Sequence, residues 1–389
     1  MEISVENEED IVSNLTIVII LDQRENELLG FDFVSLPEAN IVSGIWNLRP
    51  GAHFIYIKDD ESEEADETRF GEFIYLKKGE IKVIRRSADE TGSPFEIVED
   101  YCNESYKESV INGKFKNRMA NVPKELADLW SSMTDCINGE LINKLRPIRR
   151  AIKSRGQKLQ RDSIVTGRGD VPDPSAVEFE DEFSRLSINS KGGHSDECET
   201  PNDNYIYYSD IPLFDSKIKD IKNITPEMVT RMHLDTSYIL DHLRDEYQSS
   251  RGGYKCTEYG RNYHLYVLGE LQFSFILFLL CYNIDSFEQY KKLLRAFCNA
   301  ETVLIENENL THKLFKTLQL HIETWDESND VFQKDNFFVT YLANLREIVL
   351  DNEIELSHSS RHFKRLEDSF KLKFGISLAD LDMINNCDP

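Results

Sequence analysis

Residues 268–283, LGELQFSFILFLLCYN, are the least polar stretch of a chain that is otherwise acidic and hydrophilic. From Phe273 to Tyr282 only Ser274 interrupts a run of apolar and aromatic side chains. A membrane span, an aromatic cofactor pocket or the centre of a helical core would each absorb such a run. A spanning helix needs ~20 apolar residues. Here Arg261, Asn262 and His264 precede the run, and Asp285, Glu288 and Gln289 follow it, so its length argues against a membrane span. On a helix, Leu271, Phe275, Phe278 and Tyr282 share one face, while Ile276, Leu277, Leu279 and Leu280 fill the others. A helix apolar all round must be enclosed by protein on every side, which a pocket wall does not require. Each large side chain so buried contributes ~1.5–3 kcal/mol. The segment is therefore expected to be the axis and main stabiliser of a helical domain.

The rest of the chain divides around this expectation. Residues 14–21, 53–57, 71–76 and 80–86 read as strands, the last with an imperfect two-residue period. Pro50 and Gly51 suit the two central positions of a type II turn, and Lys77–Glu80 fits a tight reversal between strands. From residue 122 the period changes: Leu126, Leu129, Met133, Ile137, Leu141 and Leu145 recur at helical steps until Arg146-Pro147 stops them. Residues 160–212 are rich in Gly, Pro, Ser, Asn and Asp and read as linker. Beyond it the chain reads as all helix: Thr225 as N-cap with Pro226 behind it, a helix to about Tyr247, a loop over 248–262, the apolar helix, and a helix opened by a box at Asp285 and Glu288. The expected fold is α+β in two domains: a sandwich-like β-rich domain with trailing helices over 1–155, a flexible linker over 156–212 and an all-helical domain over 213–389.

Composition excludes several functions. The formal charge is −25, from 70 acidic and 45 basic residues, which opposes broad binding to nucleic acid or anionic membranes. A local basic patch can still override the global sign. The acidic run 59–67 reads as a solvated loop tip. The arginine- and lysine-rich stretch 146–168 reads as a solvated helix end and linker, with a nuclear-import signal or an RNA-facing strip as the alternatives. The cysteines number seven and none shows C-x-x-C spacing, and the amino terminus is acidic where a targeting peptide would be basic. These features predict a reduced, intracellular protein.

Catalytic motifs are missing from the sequence: it contains no G-x-S-x-G, H-E-x-x-H, Walker or dinucleotide fingerprint. Glu355, His358 and His362 come nearest to a metal signature and would carry a metal-dependent hydrolase or oxidase as the alternative function. His264 and Glu270 are a conceivable proton-transfer couple, with Glu270 otherwise placed by the helix dipole. The sequence predicts neither a cofactor nor an enzyme.

The segment GELQFSFILFLLCYNIDSFEQYKKLLRAFCNAE (269–301) closely resembles the signature of the Aar-two splicing-factor family, opening with Gly269, Glu270, Leu271, Gln272 and Phe273. LRPGAHFIYI (48–57), with Pro50, Gly51 and His53, resembles the family's turn and histidine-aromatic strand, and residues 69–87 resemble its paired strands. Residues 137–147 and 234–243 agree more loosely. The resemblance implies a β-rich domain linked to a helical domain of VHS type, the fold that also serves vesicle-traffic adaptors. It also implies an assembly factor that chaperones the large spliceosomal scaffold protein during biogenesis of the U-five small nuclear ribonucleoprotein. The partner surfaces are the scaffold's RNase H-like and MPN-type domains. Binding would block premature helicase and RNA engagement, with release by phosphorylation in the loop holding Ser249 and Ser250. Location in cytoplasm and nucleus follows from the same resemblance, with no direct nucleic-acid or membrane contact.

Overall fold

The computed structural model describes residues 16–24, 28–36, 43–58, 69–88, 93–98, 103–115, 118–147, 152–153, 206–211, 225–249, 263–325, 337–375 and 377–379. Among the described residues the amino-terminal part holds ten strands: β1 (Thr16–Leu21), β2 (Leu28–Phe31), β3 (Val34–Leu36), β4 (Gly44–Leu48), β5 (Gly51–Lys58), β6 (Arg69–Leu76), β7 (Ile81–Arg86), β8 (Phe95–Ile97), β9 (Met119–Asn121) and β10 (Ile152–Lys153). They form two sheets, in the orders β8-β7-β1-β4-β9 and β10-β6-β5-β2-β3. The second is antiparallel throughout, whereas β1 runs parallel to β7, and β4 parallel to β9, in the first.

The imperfect alternation of the strands now has a cause, because both faces of both sheets are covered. Along β1, Val18 and Ile20 point into the core between the sheets, while Ile17 and Ile19 point the other way, to a cluster closed by Tyr106 and Val110 of α1 (Asn103–Ile111). Along β5, Ile55 and Ile57 enter the sandwich core, and Phe54 and Tyr56 face the helical side. Strands buried on both faces read as continuous apolar runs. Gly79, at φ +72°, makes the expected reversal, and the Glu80 amide donates to the Lys77 carbonyl at 3.1 Å. That turn is a corner between sheets, since β6 and β7 do not pair, contrary to the expectation for residues 69–87. Gly51 has the expected positive φ, +136°, but already opens β5.

The helices after α1 are α2 (Lys124–Met133), α3 (Gly139–Leu145), α4 (Pro226–Leu234), α5 (Ser237–Ser249), α6 (His264–Cys281), α7 (Ile284–Cys298), α8 (Glu301–Glu306), α9 (Glu308–Thr324), α10 (Phe337–Asp351) and α11 (Ser360–Phe374). Thr225 caps α4 as expected, accepting from the Met228 amide. The helix expected to run to Tyr247 breaks at Asp235 and Thr236. There the Thr236 hydroxyl donates to the Ala296 carbonyl at 2.7 Å, and Asp235 accepts from the Ser237 amide at 2.9 Å. The start of α7 also differs: Asn283 is the cap, its side chain accepting from the Ser286 amide at 2.9 Å, because Tyr282 turns left-handed at φ +52° and ends α6 there. Residues 352–359 are turns, so α11 starts only at Ser360.

α6 occupies the centre. It is 18 residues long and apolar enough to cross a membrane by length and composition, so the length argument against a span does not hold for the whole helix. Enclosure decides the matter, because 94% of it lies buried inside the protein. One continuous apolar cluster includes Phe54 and Phe73 of the second sheet, Trp130 of α2, Leu141 of α3 and most of α6. The sheets and the helices therefore share a core. Cys136, Cys281 and Cys298 are buried, unpaired thiols, and burial pushes Cys281 up to about 12.

His321 of α9 lies fully buried in that core. It is stacked on Phe275 at 3.8 Å and bonded to the Tyr290 hydroxyl at 3.1 Å, and burial lowers its pKa to about 3. A histidine held neutral gives stability that is complete above its unfolded value of ~6.5 and is lost as pH falls toward the folded value. Chemical denaturation at a series of pH values should show an extra loss of ~1.4 kcal/mol per pH unit below ~6.5. His321→Gln should remove that slope. An unchanged slope would place the acid sensitivity elsewhere.

Candidate functional site

Residues 269–273 lie on α6 where it crosses the second sheet, α3 and residues 206–211, and each makes a different contact. Gly269 permits the closest approach: a Cβ there would lie 2.2 Å from the Cys136 carbonyl oxygen and 2.7 Å from Leu141 Cδ2. Gln272 completes the same joint. Its Oε1 accepts from the Cys136 amide at 2.9 Å, and its Nε2 donates to Asp135 Oδ1 at 2.9 Å and Thr317 Oγ1 at 3.1 Å. One buried amide thus joins the α2–α3 turn to α9. Phe273 stacks on Phe73 of β6 at 4.5 Å and meets Tyr208 edge-on at 6.3 Å. Leu271 is fully buried beside them.

Glu270 is fully buried in the middle of α6, away from the dipole end that the sequence suggested. Its carboxylate accepts from the Ser209 amide at 2.9 Å, the Ser209 hydroxyl at 2.8 Å, Gln289 Nε2 at 2.9 Å and the Tyr247 hydroxyl. A buried carboxylate costs several kcal/mol unless it is paired or hydrogen-bonded. Glu270 meets that cost with donors from three separate elements, α5, α7 and the strap 206–211. Burial and the adjacent Glu270 charge push the Tyr247 phenol well up, so it remains a donor. Lys144 Nζ closes the cluster, 2.8 Å from Ser209 Oγ and 3.5 Å from the centre of the Tyr247 ring. His264 pairs with Asp241 at 3.3 Å and makes no couple with Glu270.

The sheet contributes two further fixtures. Arg69 of β6 donates to the Leu280 carbonyl at 2.7 Å, capping the end of α6. Its guanidinium also lies 4.6 Å from the centre of the Tyr282 ring. His53 of β5 is buried with Nδ1 2.7 Å from Asp32 Oδ2 and Nε2 2.7 Å from the Arg49 carbonyl. Burial opposes charge on His53, but the charge and hydrogen bond of Asp32 together with the hydrogen bond to the Arg49 carbonyl raise the pKa on balance. Asp32 also accepts from the Phe54 amide at 2.9 Å, so the pair locks the β2–β3 turn onto β5. Pro50 is exposed, and Gly51 half-exposed, at the end of that strand.

Glu270, Gln272 and His53 are buried and hydrogen-bonded to neighbouring elements. The cavity at the joint, lined by Glu72, Phe73, Ile142, Arg146, Ile152 and Phe273, has a volume of about 10 Å³, room for one water. Glu355 and His358 are exposed in the turns before α11, and His362 sits in the first turn of α11 against His312 of α9, Nδ1 to Nε2 at 2.6 Å. Among the described residues no three His, Cys, Asp or Glu side chains come together to hold a metal. Ser249 is the last residue of α5; Ser250 and the loop to residue 262 lie outside the described residues, as do residues 59–67 and most of 146–168. Sequence reasoning missed the strap, although its aromatic run Ile206-Tyr207-Tyr208 stands out from the polar residues upstream.

The arrangement is a brace, and glycine is required where two backbones meet. Gly269→Ala should destabilise the protein in urea by ~1–3 kcal/mol, as for other overpacked cores. At Gly139 a Cβ would meet the Tyr75 ring at an ordinary 3.5 Å, so Gly139→Ala should lie within ~0.5 kcal/mol of wild type. Equal effects at the two sites would contradict the close-approach argument.

Comparisons with known proteins follow the same division. Residues 14–147 match the family model described as the AAR2 N-terminal domain, and residues 208–379 match the AAR2 C-terminal repeat region. The chain is similar to the Protein AAR2 homolog of Homo sapiens, 25% identical over 84% of this chain and 80% of that protein. The Protein AAR2 homolog of Caenorhabditis elegans is 24% identical over 88% of this chain and 87% of its own length. The strap falls at the start of the second matched region, and the brace joins that region to the first. With both regions matched in order and most of its length aligned to these relatives, the chain belongs to the AAR2 family.

Proposed function

We propose that this chain is a non-enzymatic assembly factor in pre-mRNA splicing. It binds the large spliceosomal scaffold protein through that protein's RNase H-like and MPN-type domains during U-five particle biogenesis. Family membership carries the reading. The geometry supports it in one respect: the signature residues Gly269 to Phe273 are spent on internal bracing. Partner contacts therefore fall on the surfaces that the brace holds in register. A net charge of −25 suits a chaperone that covers basic, RNA-binding surface and keeps helicase and RNA away until release. Release would come from phosphorylation at Ser249 or Ser250, which adds about −1.5 to −2 charge where α5 ends. The working location on this reading is both cytoplasm and nucleus.

The purified chain should co-elute with the scaffold's RNase H-like domain at low salt, and the complex should weaken as salt rises. Failure to co-elute at low salt would sink the assembly-factor reading. Replacing Ser249 and Ser250 together with Glu should weaken the complex at least several-fold in calorimetry. Unchanged affinity would remove the phosphorylation step and leave the chaperone standing.

A further inference from the structure

α9 and α11 pack against each other through Phe315 and Phe363, with ring centres 5.2 Å apart, and they carry a basic face on an acidic protein. His312 and Lys316 stand one turn apart on α9, and Arg361 and Arg365 one turn apart on α11, with His362 next to Arg361. Lys316, Arg361 and Arg365 are exposed; the two imidazoles are half-buried and touch at 2.6 Å. The groups converge: burial, with the neighbouring Arg365, Arg361 and Lys316 charges adding to it, holds His362 below its ordinary range, and its Nδ1 lies 2.6 Å from His312 Nε2. Nearby cations are neutralised. Lys364 pairs with Asp368 at 3.2 Å, Arg346 with Glu367 at 3.2 Å and Lys313 with Asp135 at 2.6 Å. Among the described residues, Lys316, Arg361 and Arg365 pair with no carboxylate. Adjacent cations left unpaired on a chain with excess acid repel one another, and the repulsion is relieved when an outside anion docks.

We propose that this face, His312, Lys316, Arg361, His362 and Arg365, binds the phosphodiester backbone of single-stranded RNA. Side chains four residues apart on a helix are ~6 Å apart along its axis, comparable with successive phosphates on a strand. Arginine offers a planar fork that matches phosphate oxygens. Phe315 and Phe363 are buried and do not offer their rings for base stacking, so the contact is to the backbone and carries no sequence preference. The overall charge does not forbid it, since acids beyond ~8 Å are largely screened at physiological ionic strength. Exposed Ile354 and Leu372 would instead suit an acidic peptide with apolar anchors, and the test separates the two.

Fluorescence anisotropy of a short labelled oligouridylate with the full chain should show binding whose log affinity falls against log salt with a slope of about −2, as for three phosphate contacts. Arg361→Gln with Arg365→Gln should lower affinity at least tenfold at low salt and make the slope shallower by about 1.4. Lys316→Gln alone should do so by about half as much, which covers the case of a double variant that misfolds by circular dichroism. Lys124→Gln, an equal charge change on α2, should bind as wild type does. No binding, or binding indifferent to the α11 arginines and Lys316, overturns the proposal. Displacement of the RNA by poly-glutamate at matched charge overturns it in favour of an acidic protein.

Discussion

The contact on which the rest of this structure depends is that between the α6 backbone at Gly269 and the Cys136 carbonyl. A helix can approach another backbone this closely only where a side chain is missing. Once it has, Gln272 and Glu270 are carried into the interior and must find partners there. Gln272 takes the α2–α3 turn and α9, and Glu270 takes the strap, α5 and α7. Removing one partner of a buried polar group leaves its desolvation cost uncompensated, typically ~1–3 kcal/mol and more for a charge. These bonds hold the elements in register by being costly to break singly, and the aromatic contact of Phe73 with Phe273 adds area to the same joint.

This explains why the segment that resembles the family most closely is a run of core residues. All five residues from Gly269 to Phe273 are buried, and their contacts are internal. They fix the angle between a sandwich whose outer sheet is apolar and a helical domain whose axis is apolar all round. The brace thereby holds the outer surfaces of the two parts at a constant spacing.

Much of this was legible in the sequence. The continuous apolar run of α6 announced a fully enclosed helix because periodicity was absent from it. The strands β1, β5, β6 and β7 were readable for the related reason that both their faces are buried. Shorter strands such as β3 and β8, each of three residues, carry too little pattern to detect. The pairing of β6 and β7 was misjudged because a tight turn specifies a reversal and says nothing about which sheet receives the next strand. The cap at Asn283 was misplaced because Asp285 and Glu288 fit the same local rule, and only the left-handed turn at Tyr282 decides between them. The partners of Glu270 and Gln272 were invisible, since they come from residues 19 to 137 positions away on separate elements. At the basic face the residues were readable one by one, but their convergence depends on the packing of α9 against α11.

Site-resolved hydrogen exchange through a denaturant series tests the shared core most directly. Amides of β5 and of α6 should converge on one opening free energy, as expected when the sheet and helical parts unfold together. Exchange of α6 at a lower free energy, with β5 still protected, would contradict the single core and reduce the brace to a contact between independent domains.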